Sequence, residues 1–187
     1  MAARPTHLAG RFLSSLAPIP VRAGDRQWVA TVLRLEELDL WSRLSRADRR
    51  ESIGVARRTE TTLAGTAYGG DDLWLVAALL HDIGKLDARF GPVRRAVATT
   101  AAVVLGPRVV EGWVDKSGFV RRCALYVFHD QLGADRVRIA GGRPEAALWA
   151  EAHHRPAIWS QTGLPTDVVI ALAEADGERT EGFLLSA

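Results

Sequence analysis

At 187 residues, 48% hydrophobic and 25% charged, the chain has the size and composition of one globular domain with a substantial core. Its 24 basic and 22 acidic residues leave a net charge of only +2, too little for an extended basic surface, so no specific nucleic-acid partner is predicted. The apolar runs are too short to cross a bilayer, and the single cysteine, Cys123 in the apolar setting "CALYVF", permits no disulfide within the chain and fits a reducing cytoplasm.

Residues 1–24 read as an irregular segment with a short turn around 12–16. Arg11, Pro18 and Pro20 interrupt any signal-peptide core, so a cytoplasmic location without membrane partners is expected. From residue 25 to 187 nearly every periodic stretch reads as helix, and no run sustains the alternation of a strand. Asp25 is placed to cap a helix carrying Trp28, Val29, Val32 and Leu33, whose register resumes through Leu38, Trp41 and Leu44. Ser45 with Asp48 resembles a capping box and opens a helix that ends at Gly65. Gly69–Gly70 make a turn, and Asp71 or Asp72 caps the helix "LWLVAALL". Further helices are expected over 88–105, 118–131, 133–140, 144–154 and 165–176, with breaks at Gly91–Pro92, Gly106–Pro107, Gly141–Gly142 and Gly163–Pro165. The expected fold is an all-α, single compact bundle.

Only five histidines occur, and four stand at or near expected helix ends: His81 beside Asp82, His129 beside Asp130, and the pair His153–His154. His7, in the irregular N-terminus, is assigned no role. A lone histidine at a helix C-terminus is a favourable hydrogen-bonding cap. An aspartate there is not, and both Asp82 and Asp176 follow apolar runs that end in glycine signals. Burying such carboxylates requires a cation, either an arginine or a metal. Two carboxylates with three or more imidazoles match the donor mix that holds first-row metals.

"LLHDIGK" resembles the His-Asp signature of the HD superfamily of metal-dependent phosphohydrolases, and "ALAEAD" resembles the segment holding that family's last aspartate. The span from about Asp48 to Gly177 follows the family order. "HDQLGADRVRIAGG" followed by "AEAHHRP" is similar to the middle of the larger-site HD proteins. The cyclic-dinucleotide-cleaving HD-GYP proteins carry that arrangement, but their "HHE…DG…GYP" continuation is replaced here by "HHRPAIWSQTGLP". The chain departs from the family at its first histidine: where "DRRHSxGVAR" is expected, it reads "DRRESIGVAR", with Glu51 in that place.

The resemblance implies an HD-type helical domain binding one or two divalent transition metals (Mn, Fe, Zn or Ni). Asp82 would anchor or bridge the ions, His81 and Asp176 would complete the first ion's ligands, and Glu51 would stand in for the missing histidine. His129, His153 and His154 would hold a second ion. A glutamate at position 51 would harden the site toward Mn or Fe. Lys85 would meet the phosphate of a small phosphorylated or nucleotide-like substrate, or else serve as a dipole partner for its own helix. Asp130 would orient a histidine or lie exposed. Two alternatives share the scaffold: an HD-type di-iron oxygenase, and a non-catalytic ligand-binding module. The sequence carries no signal for oligomeric state.

Overall fold

The segment Asp72–Leu80 is apolar on every side, so it can be stable only when other elements surround it. In the computed structural model, which describes residues 19–88, 90–180 and 183, it is the central helix of an all-α bundle. In chain order the helices are α1 (Ala23–Val32), α2 (Leu35–Ser42), α3 (Arg46–Leu63), α4 (Asp72–Leu80), α5 (Lys85–Ala88), α6 (Pro92–Leu105), α7 (Pro107–Glu111), α8 (Gly118–Val127), α9 (His129–Ile139), α10 (Pro144–Ala152) and α11 (Thr166–Asp176). A 3-10 turn covers Pro156–Gln161. No strand occurs among the described residues. Among them, too, no helix is long and apolar enough to cross a membrane.

Helices α3 and α10 pack on α4, α11 packs on α3, and α9 pairs with α10. Val76 to Leu80 are fully enclosed, and each such leucine contributes about 2 kcal/mol of hydrophobic stabilisation. A second, smaller cluster of Ala88, Phe90, Ala98 and Cys123 joins α5, α6 and α8. The Cys123 thiol is buried there, and burial raises its pKa, which leaves it inert.

Several boundaries differ from expectation. Helix α1 starts at Ala23 on an extended Arg22, so Asp25 lies inside the first turn rather than capping it. Ser45 does cap α3, accepting from the Asp48 amide at 3.2 Å. The Asp48 carboxylate, however, is turned to Arg95, which meets it with two nitrogens at 2.5 and 2.7 Å. The 88–105 helix is divided: α5 stops at Ala88, and α6 starts with Pro92 at its first turn, as the Gly91–Pro92 break requires. The break expected at residue 132 falls at Phe128, so His129 begins a helix. Gly133 sits inside α9, where a Cβ would press on the Gly84 backbone at 3.0 Å. The short helix α7 and the 3-10 turn were not expected. The turn expected at 12–16, the irregular segment through residue 18 and His7 lie outside the described residues.

Candidate metal centre

Three helices end at one place. His81 is the C-terminal cap of α4, His153 is the cap of α10, and Asp176 is the last residue of α11. The negative ends of three helix dipoles therefore meet here, a field favourable to a cation. The start of α9 delivers His129 to the same point. That approach depends on Gly84, where any Cβ would run into the His129 carbonyl. The glycine after the His-Asp doublet therefore permits the contact between α9 and the end of α4.

The imidazoles share one orientation. Each places Nδ1 on the carbonyl three residues back: His81 on Ala78 at 2.7 Å, His129 on Tyr126 at 2.7 Å, His153 on Ala150 at 2.8 Å. A carbonyl only accepts, so each Nδ1 carries the hydrogen, and in a neutral ring Nε2 is left as a lone-pair donor. Those Nε2 atoms converge on carboxylates. His129 lies 3.2 Å from Asp82 Oδ1 and His153 lies 3.7 Å from the same oxygen. His81 lies 3.3 Å from Asp82 Oδ2 and 3.5 Å from Asp176 Oδ1. None of the three Nε2 atoms, nor Asp82 Oδ1, has a hydrogen-bond partner, although all are buried. Imidazole nitrogens and carboxylates that face one another in a dry site need a proton or a metal cation between them.

The titration directions follow from that arrangement. Burial alone would push the His81 imidazole down, but Asp82 and Asp176 outweigh it and hold the ring well above its ordinary pKa. Burial takes His153 down to about 4, so it is neutral and ready to donate. Burial acts upward on Asp176, yet the neighbouring His81 holds its carboxyl at about 2. Asp82 is also far below the carboxylate range, because Lys85 and His81 overcome its burial. The Lys85 ammonium pairs directly with Asp82 Oδ2.

The donor atoms of Asp82, His129, His153 and His154 lie within 4.8 Å of one another, as do those of His81, His153 and Asp176. These buried groups can hold a metal ion. Asp176 also belongs, with His154 and Glu178, to a third group nearer the surface. Glu178 was missed in the sequence; its only signal is its place just past the "ADG" that ends α11. Glu51 lies outside all three groups. The buried stripe of α3 runs through Asp48, Ser52, Val55, Ala56, Thr59 and Leu63, and Glu51 is half-buried at its margin. Asp130 is buried and lies 3.3 Å from Arg155, while His129 Nδ1 is taken by a backbone carbonyl, so Asp130 does not orient that ring. Trp159, next to the histidine pair in sequence, is enclosed and donates to the Ala152 carbonyl at 2.9 Å, a packing role.

No family model matches this chain, and neither the curated proteins nor the solved structures contain a significant match.

Proposed function

We propose that the chain is a metal-dependent phosphohydrolase of HD type that acts on a small phosphorylated or nucleotide-like ester. One observation carries this reading: three buried imidazoles, each with Nδ1 fixed on a carbonyl, aim Nε2 at the carboxylates of Asp82 and Asp176 where three helix C-termini meet. The resemblance of "LLHDIGK" and "ALAEAD" to the HD family supports the same chemistry.

The all nitrogen-and-oxygen donor set suits Mn, Fe, Zn or Ni, as one ion or two. Bound there, a divalent ion would supply an activated water and neutralise charge on phosphoryl oxygens. Asp82 faces His81 through Oδ2 and His129 through Oδ1, so its carboxylate would be a ligand alongside either imidazole. Asp176 and His81 would close one side, and His129 with His153 and His154 the other. Lys85 pairs with Asp82 and would turn to an anionic ester oxygen once that carboxylate is engaged. Burial of His81 and His153 leaves their Nε2 atoms without bulk solvation and available to an ion.

Elemental analysis of freshly purified protein, followed by phosphomonoester and phosphodiester turnover with added Mn, tests the reading. Bound transition metal with metal-dependent ester cleavage is expected. Two irons with an oxygen-sensitive visible spectrum and no ester cleavage would favour the oxygenase. Protein that takes up none of these metals would leave only the ligand-binding module.

A further inference from the structure

His154 differs from the other three histidines of the cluster. Its Nδ1 meets no carbonyl of its own helix; it meets Glu178 Oε1 at 2.8 Å, across 24 residues of sequence. The chain is bent to make that contact. Gly177 caps α11 in the left-handed conformation, φ +86°, and the Glu178 amide returns to the Ala173 carbonyl at 2.9 Å. This reversal carries the Glu178 side chain back beside Asp176. One donor atom from each of His154, Asp176 and Glu178 then lies within 4.8 Å of the others. Exposure grades across the group: the Asp176 side chain is 6% accessible, Glu178 31% and His154 40%.

We infer that His154, Asp176 and Glu178 form a solvent-facing outer site for a hard divalent cation such as Mn, adjoining the inner centre through Asp176 and His154. The inference rests on the metal reading of the inner groups, because Asp176 and His154 each belong to one of them as well. Two carboxylates and one imidazole leave several coordination positions for water or for the oxygens of a phosphorylated substrate. Apart from the shared His154, the inner donors are enclosed, whereas this group opens to solvent through Glu178 and His154, so its ion exchanges more readily and binds more weakly.

The test is a Mn titration of the metal-stripped full chain, read by calorimetry and by the paramagnetic resonance of free Mn. Wild-type protein should show a weak equivalent after the tight uptake. Glu178→Gln should abolish that equivalent or weaken it at least tenfold, with the tight uptake and the helical circular dichroism unchanged. Glu178→Asp, which keeps the carboxylate one methylene shorter, should retain part of it. Identical isotherms for wild type and Glu178→Gln would reduce His154–Glu178 to a surface ion pair and overturn the inference. Tight uptake with no weaker equivalent in the wild type would overturn it too, leaving the inner centre intact. No uptake at all would end both readings.

Discussion

The Lys85 ammonium rests on Oδ2 of Asp82, the carboxylate whose other oxygen faces His129 Nε2 at 3.2 Å. A protein cation therefore holds one of the oxygens a metal would need. Burial would lower the Lys85 pKa, but Asp82 outweighs it, so the ammonium stays charged and competes for that oxygen throughout the physiological range.

Replacing Lys85 should accordingly separate metal affinity from turnover. Lys85→Met removes the competing charge, and we expect apparent Mn affinity to rise about fivefold, equivalent to about 1 kcal/mol. If the chain cleaves esters as proposed, turnover should fall in the same protein, because the cation proposed to meet the substrate anion is gone. Competition against a chromophoric chelator measures the first effect and steady-state kinetics the second. Weaker metal binding in the variant would show that Lys85 supports the site rather than competing for it.

The same logic fixes a pH dependence. In metal-free protein the raised His81 pKa contributes stability that is complete below about 6.5 and is lost as pH rises through the folded value. His153 has the opposite sign: its pKa is lowered to about 4, so its contribution is present above 6.5 and is lost as pH falls toward 4. Asp176, held at about 2, loses its contribution only below the ordinary carboxylate value of 3.8. A metal replaces the His81 proton, so the gain in melting temperature on adding Mn should grow between pH 6 and 8. Thermal melts with Mn and with EDTA across that range measure it; a gain that is flat or shrinks with pH would contradict the assignment of His81.

Much of this centre was legible because its signals are local. An apolar run that ends in His81–Asp82, a second that ends in His153–His154 and a third that ends in Asp176 identify three helix ends without tertiary information. Contacts between distant segments were not legible. Asp48 was legible as the partner of its own cap, and Ser45 Oγ does donate to its carboxylate at 2.6 Å, but Arg95, 47 residues on, which meets both carboxylate oxygens, was not. The place of Gly133 within α9 follows from the approach of Gly84, a contact between segments that no local pattern specifies. Glu178 depends on the reversal at Gly177, whose destination no local pattern specifies.

The Asp48–Arg95 pair ties α3 to α6, and its loss should be costly. Arg95→Met would leave a carboxylate that is 4% accessible without its two-nitrogen partner. The expected destabilisation is about 2–4 kcal/mol, below the range for fully enclosed pairs because Arg95 keeps some contact with solvent. Asp48→Asn in the same background should recover part of it. Urea unfolding of the single and double variants measures the coupling, and a single-variant loss under about 1 kcal/mol would mean the pair is largely solvated.

Gly84→Ala tests whether the doublet's glycine serves the site through backbone contact alone. An added methyl would meet the His129 carbonyl, so α9 and the end of α4 must separate. Overpacking of this kind costs about 1–3 kcal/mol, which a bundle of this size can survive. Metal retention should suffer more than stability, because His129 Nε2 would be drawn away from Asp82 Oδ1 while every candidate ligand stays in the sequence. Metal content after gel filtration, compared with the unfolding free energy of the same sample, separates the two effects. Full metal occupancy in a folded Gly84→Ala protein would show that His129 is not needed to hold the ion.

Glu51 remains the point at which the chain departs from the HD pattern. It lies beside the buried stripe of α3, outside the three donor groups, while Ser52 next to it turns inward and receives the Trp41 indole N–H at 3.0 Å. We therefore expect Glu51→Gln to change metal occupancy less than twofold, whereas Asp82→Asn should abolish it, with helical content preserved in both. Glu51→Gln protein that purifies without metal would show instead that α3 rotates or shifts when the ion binds, and that the carboxylate does the work of the absent histidine.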